Sequence, residues 1–328
     1  MKLKNPTVSR LRETARLGFG GAPVGNLYRS VSDADAHGAV AAAWDAGIRY
    51  FDTAPHYGLG LSERRLGAVL ADKPRDEFLL STKVGRLIRP ASAPTEKDDE
   101  GFDVPGCLTR VRDYSPEGVR RSIEESLERL GLDRIDIVYI HDPDDYWTEA
   151  FNGAVPELEH MRSEGMIGAW GAGMNQAEML TRFVVETDID IVMMAGRYTL
   201  LDQRGRLDLI PSCEQNGVGV MNVGVFNSGI LATADPQQHA TYNYAPADRE
   251  IIERAKALAA LASDHGTTLP AAAVQFSLRD PAITGIALGM RTAEQVEADV
   301  QLFEADVPQA FWSEAVSRGL LKADPAAS

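Results

Sequence analysis

An α/β fold, a closed (β/α)8 barrel, is what this sequence predicts, on three observations. Strand-like runs alternate eight times with helical patterns, and parallel neighbours need helical crossovers. A barrel takes about 250 residues, leaving roughly 78 of the 328. Three irregular stretches absorb about that number: Arg86–Tyr114 with 29 residues, Asn227–Ala247 with 21 and the tail from Glu304 with 25. No Pro/Ser-rich or low-complexity linker divides the chain, so residues 1–328 read as one domain rather than an open, doubly wound pair.

The first strand is expected near Arg16–Gly20. The others are Ile48–Asp52, Phe78–Lys83, Ile135–Ile140, Met166–Gly171, Ile189–Met193, Val218–Asn222 and Ile283–Leu288. The clearest helix is Pro116–Leu130. Ser115 suits its N-cap, Pro116 its first position and Gly131 its C-terminal cap. Val119, Ile123, Leu127 and Leu130 form its apolar stripe, and Arg120/Glu124, Arg121/Glu125 and Glu125/Arg129 sit four apart on the wet side.

Composition narrows the classes. With 44% hydrophobic residues the chain can bury a full core. Asp and Glu outnumber Lys and Arg by 48 to 33, giving a net charge of −15, a surface that repels nucleic acid. The N-terminal residues lack the apolar run of a signal peptide, and no uncharged stretch is apolar enough for a membrane span. Two cysteines make no disulfide scaffold, so a cytoplasmic location is expected. The six histidines show no metal-ligand spacing, and no metal is expected.

Glycine-rich segments near Gly18, Gly171 and Gly217 miss the dinucleotide fingerprint, and the phosphate-loop motif is missing too. The ionisable residues are more informative. Three successive strands end in Asp52, Lys83 and His141, which a barrel brings together at its C-terminal mouth, where barrel enzymes work. Tyr57 follows Asp52 in a loop that can fold over that mouth. A free phenol has a pKa near 10, and an adjacent ammonium lowers it. Lys83 is therefore expected to hold Tyr57 well below 10, with Asp52 anchoring Lys83 and His141 positioning the substrate oxygen.

Phe51-Asp52-Thr53-Ala54-Pro55-His56-Tyr57-Gly58, Ser62-Glu63, Leu66-Gly67 and the Lys83 and His141 strands resemble the aldo-keto reductase family over nearly the whole chain. That resemblance implies a TIM barrel, a nicotinamide cofactor across the mouth and Tyr57 as general acid or base. Segments around Leu80–Leu87, Gly171–Gln176, Ala195–Leu201, Phe226–Leu231 and Tyr242–Ala247 are similar to its sugar 1-dehydrogenase branch.

By the same resemblance, cofactor contacts fall on Asp52, Asn175, Phe226, Asn227, Ser228, Gly229, Gly289, Arg291, Gln295 and Asp299. The family's Ser-Asn pair falls at Gly173-Met174, which passes the carboxamide contact to Asn175. Its stacking aromatic falls near Val223, with Phe226 as substitute. NADPH-using members carry Lys and Arg where Gly289 and Gln295 stand, leaving Arg291 alone to meet a 2′-phosphate. NAD is therefore the expected cofactor and NADP the alternative.

The implied reaction is oxidation of the anomeric hydroxyl of a free aldose, of L-fucose or D-threo-aldose type, to a lactone. His56, Tyr57, His141, Trp147 and Tyr244 are the expected substrate contacts. Two rivals remain: oxidation of the pyridoxal hemiacetal at C4, favoured by a ring-stacking pocket, and a cofactor-binding regulatory subunit. The second rival predicts cofactor binding without turnover.

Overall fold

The computed structural model describes residues 1–243 and 245–322. Eight parallel strands pair in chain order, and the eighth closes on the first. They are β1 (Leu17–Gly20), β2 (Tyr50–Asp52), β3 (Leu79–Val84), β4 (Ile135–His141), β5 (Ile167–Met174), β6 (Ile191–Ala195), β7 (Gly219–Val223) and β8 (Ile283–Gly289). Closure sets Leu17 opposite Ile286 and Gly20 opposite Gly289. All eight expected strands are present.

These strands are apolar on both faces, so period alone cannot orient them. Tyr50, Leu79, Ile137, Tyr139, Ile191 and Met221 fill the barrel interior. Phe51, Leu80, Val138, Trp170, Val192 and Val220 face the helices. Bulky residues inside make a packed core, so function is confined to the rim.

The floor is closed by a helix at Pro6–Thr14, to which the sequence reading assigned no element. Asn5 caps it, accepting from the backbone N–H of Thr7 at 2.8 Å while its amide donates to Gly168 O at 3.1 Å. Val8 and Leu11 join the interior cluster. Arg12 donates to Pro281 O at 2.8 Å, and Lys4 N to Gly217 O at 3.0 Å.

The helix Pro116–Leu130 has the expected caps: Ser115 accepts from Gly118 N and Gly131 is left-handed. Its charges differ from expectation. Arg120 reaches Glu157 and Glu164 on a neighbouring element, and Arg129 reaches buried Glu63 at 2.5 Å. Of the expected in-helix ion pairs, the 3.9 Å Arg129–Glu125 contact is present. Partners on a packed neighbour displace the weaker in-helix pairs.

The long insertion after β3 is not irregular. Arg86–Thr95 and Gly106–Arg112 pair as an antiparallel hairpin over the mouth. It leaves β3 through Gly85, whose φ of 102° suits glycine, and a Cβ there would meet the Tyr114 ring at 2.3 Å. The 227–247 stretch holds a short turn at Asn227–Gly229 and a small ladder of 241–242 with 245–246. The tail contains a helix at Gln309–Ser317. Among the described residues no helix is long and apolar enough to cross a membrane.

Candidate active site

Asp52, Lys83 and His141 emerge at the C-terminal ends of β2, β3 and β4, as expected. Lys83 Nζ donates to Asp52 Oδ2 at 2.7 Å and to Thr53 O at 3.0 Å. Ser81 Oγ donates to Asp52 Oδ1 at 2.6 Å and lies 2.8 Å from the Tyr50 hydroxyl. Both charged side chains are buried, at 2% and 6% exposure, so each has a partner for every polar face that burial desolvates.

Tyr57 is brought over this pair by a loop closed on Gly25. A Cβ on Gly25 would come within 2.8 Å of the Tyr57 backbone, so only glycine permits the approach. The next helix is fixed by Thr53 and Ser62, whose hydroxyls meet at 2.8 Å, and by Thr82 donating to buried Glu63 at 2.9 Å. Lys83 Nζ lies 4.6 Å from the Tyr57 ring centre. The His141 ring stands perpendicular to Tyr57, with centroids 5.8 Å apart.

The electrostatics correct one expectation. Burial raises the Tyr57 phenol to about 12, although Lys83's charge and hydrogen bond pull it down. The cation does not win because Asp52 neutralises it from the other side, and Asp52 also opposes phenolate. Lys83 itself is desolvated, yet Asp52 and Tyr57 raise its pKa and keep it charged. Burial, helped by Arg86, holds His141 well below 6.5 and takes His56 to about 2, so both rings are neutral at physiological pH.

These groups open into a cavity of about 630 Å³, which Asn175 and His56 also line. The hairpin supplies its roof. Phe102 stacks on Tyr57 with centroids 6.1 Å apart and meets His56 edge-on at 5.1 Å. Arg110, paired with buried Asp98, donates to His56 O at 2.9 Å. Neither Phe102 nor Arg110 was identified from sequence, because their segment shows no periodic pattern. Asp142 was visible beside His141 but was given no role; it lines the cavity and pairs with Arg86 at 2.8 Å.

Trp147, an expected substrate contact, does not line this cavity. It packs on Phe183 at 4.7 Å and under Arg182 at 3.8 Å. Apolar neighbours on the adjacent helix hold it away from the mouth. Tyr244 lies outside the described residues.

A second cavity, of about 670 Å³, brings together Phe226, Gly289, Gln295 and Asp299. Phe226 lines this cavity, whereas Val223 lines the first. Between these regions Asn227 is buried with its Oδ1 lacking a partner, and Ser228 and Gly229 follow in left-handed backbone. An unsatisfied acceptor between two polar-rimmed cavities fits an elongated ligand that donates hydrogen bonds. Arg291 is not among the lining residues. Its backbone N–H donates to Gln295 Oε1 at 3.0 Å, and burial, with Arg29 nearby, lowers its pKa. Burial raises Asp299 to about 7.

A parallel barrel whose mouth holds a phenol, an ammonium–carboxylate pair and a neutral imidazole has the makings of an enzyme that moves a proton at one oxygen atom. The Aldo/keto reductase family profile matches residues 16–317, and the chain belongs to that family. It is 45% identical over 309 residues to a D-threo-aldose 1-dehydrogenase from Pseudomonas sp, covering 93% of this chain and 94% of that one. It is 38% identical to a pyridoxal 4-dehydrogenase from Microbacterium luteolum, covering 93% and 94%. Among solved structures, a glycerol dehydrogenase from Gluconobacter oxydans superposes with a TM-score of 0.73 at 25% identity, covering 94% of each chain. The protein is an NAD(P)-dependent oxidoreductase of this family.

Proposed function

We propose that the protein oxidises the anomeric hydroxyl of a free aldose, of the D-threo-aldose or L-fucose type, to a lactone. The observation that carries this reading is the Tyr57–Lys83–Asp52–His141 cluster opening into a cavity rimmed by carboxylates, with the D-threo-aldose 1-dehydrogenase relative beside it. A bound nicotinamide supplies the hydride acceptor for C1–H. Tyr57 takes the hydroxyl proton, and neutral His141 donates a hydrogen bond to the same oxygen. Lys83 opposes the burial that disfavours phenolate, and Asp52 holds Lys83 in place.

Asp52, Asn175, Phe226, Asn227, Ser228, Gly229, Gly289, Gln295 and Asp299 would hold the cofactor; Arg291 supports Gln295 through its backbone. The second cavity is lined by Asp299 and Asp306 and by no Lys or Arg among the described residues. A 2′-phosphate would meet carboxylates there, which supports NAD over NADP.

A second reading, pyridoxal oxidation, is favoured by one feature. The Phe102 ring stacked on Tyr57 offers an aromatic face within the first cavity. One experiment separates the two: L-fucose, D-arabinose, L-galactose and pyridoxal, each with NAD and with NADP, followed by absorbance of the reduced cofactor. Turnover confined to pyridoxal overturns the aldose reading, and a tenfold preference for NADP overturns the cofactor assignment. Cofactor binding without turnover on any alcohol or aldehyde would revive the regulatory-subunit reading.

A further inference from the structure

Asp142 is the first residue beyond β4, next to His141, and its backbone is left-handed with φ 41°. That conformation is uncommon outside glycine and persists where surroundings over-determine it. Here they do. Asp142 N donates to Gly173 O at 3.0 Å. Asp142 O accepts from Arg112 at 3.1 Å and from the Tyr114 hydroxyl at 3.5 Å. Arg86, itself buried, holds carboxylate Oδ2 at 2.8 Å.

The ion pair with buried Arg86 accounts for Oδ2 but leaves Oδ1 unexplained. The carboxylate caps nothing: the short turn at Asp144–Tyr146 has no side-chain cap. Nor does it set the His141 tautomer, because Oδ2 lies 3.5 Å from Nε2, too far for a good hydrogen bond. Its side chain is 40% exposed in the first cavity, and Oδ1 makes no hydrogen bond among the described residues. Of the other rim carboxylates, Asp144 accepts from Gln176 at 2.5 Å, and Glu100 is drawn toward Arg110 at 3.8 Å, on the hairpin side of the cavity.

A fixed anion with one free oxygen is an acceptor-only group. Beside the atom that handles the reacting oxygen, its natural partners are neighbouring hydroxyls. We propose that Asp142 is a specificity residue whose uncommitted oxygen accepts hydrogen bonds from substrate hydroxyls adjacent to the reacting carbon, so that the site selects polyhydroxylated lactols over hydroxyl-poor ones. This rests on the aldose reading above. A lactol without those hydroxyls would leave Oδ1 desolvated and without a partner, the kind of loss that discriminates most strongly between substrates.

The test uses the full-length enzyme with NAD and two substrates. One is whichever of L-fucose, D-arabinose and L-galactose the wild type oxidises fastest. The other is 2-hydroxytetrahydropyran, the same ring stripped of its other hydroxyls. Wild type should favour the sugar at least about tenfold in kcat/KM. Asp142→Asn, which also tolerates left-handed backbone, should lose about ten- to a hundredfold on the sugar, chiefly through KM, and stay within about threefold on the stripped lactol. Equal losses on both substrates overturn the proposal, since Asp142 would then act through His141 or the fold. Wild type lacking any preference for the sugar overturns it without recourse to a variant. Wild type that oxidises no sugar at all overturns the aldose reading itself, a distinct result.

Discussion

The two cavities at the barrel mouth are built on different principles. In the first, over β2 to β4, each buried cation is held by a carboxylate: Lys83 by Asp52, Arg86 by Asp142, Arg110 by Asp98. In the second, beyond β7 and β8, space between loops does the shaping, and Asp299 makes no hydrogen bond or ion pair among the described residues. Polar partners fix angles, as proton transfer demands. A binding cleft needs mainly volume and a few well-placed polar groups.

The largest expected effect breaks the first region outright. Tyr57→Phe removes the proton-handling oxygen while keeping the ring against Phe102. Turnover should fall by about 10²–10⁴, with cofactor affinity, read by titration of its fluorescence, unchanged. Activity within a few-fold of wild type would refute the role of Tyr57.

Lys83→Met probes the electrostatics. With Tyr57 pushed up to about 12, the basic form needed for oxidation is scarce at neutral pH. The wild-type oxidation rate should therefore climb through the alkaline range and still be rising at about pH 9. Both pocket histidines are already neutral above their lowered pKa values, so the curve should show no inflection near 6.5. Removing the ammonium raises the phenol further and should lower the pH 7 rate about tenfold or more. The variant also strands a buried Asp52, at a cost of about 3–5 kcal/mol. Lys83→Met/Asp52→Asn should recover much of the melting temperature without the activity. A double variant with a wild-type pH–rate curve would show that Lys83 does not tune Tyr57.

The second region should yield to charge alone. A cation at position 289 is poorly placed, because a Cβ on Gly289 would lie 2.9 Å from Pro23. Gln295→Arg with Asp299→Asn adds a cation and removes an anion instead. The NADP/NAD ratio of kcat/KM should rise about tenfold, equivalent to 1.4 kcal/mol. An unchanged ratio would place the 2′-hydroxyl elsewhere.

Trp147→Leu has the smallest expected effect. The indole packs outside both cavities, so kcat/KM for the sugar should stay within about twofold. A tenfold fall would put Trp147 in contact with substrate after all.

Legibility in the sequence follows the same divide. Strand ends carrying Asp52, Lys83 and His141 stood out because ionisable residues interrupt apolar runs, and burial on both faces made those runs continuous. The caps of Pro116–Leu130 were equally plain. The hairpin was hidden: Pro90 and Pro94 lie in its first strand, and most of its outer residues are exposed, so no alternation marks it. Phe102 and Arg110 were lost with it. Trp147 misled because sequence gives an aromatic residue near the mouth but not the direction its ring takes. Tyr57's pKa was misjudged because the charge next to it could be read and the depth of its burial could not.

The floor helix carries a consequence for the order in which the chain assembles. Residues 5–15 leave the ribosome before any strand, yet their anchors lie at Gly168, Gly217 and Pro281. β1, too, must wait for β8 to complete its pairing. Contacts this distant in sequence close late and slow the search. This segment, made before the strands that anchor it, is thus seated after them, and until then its Val8 and Leu11 stay wet. Nascent barrels interrupted before residue 281 should be caught by chaperones or proteases through this unseated plug.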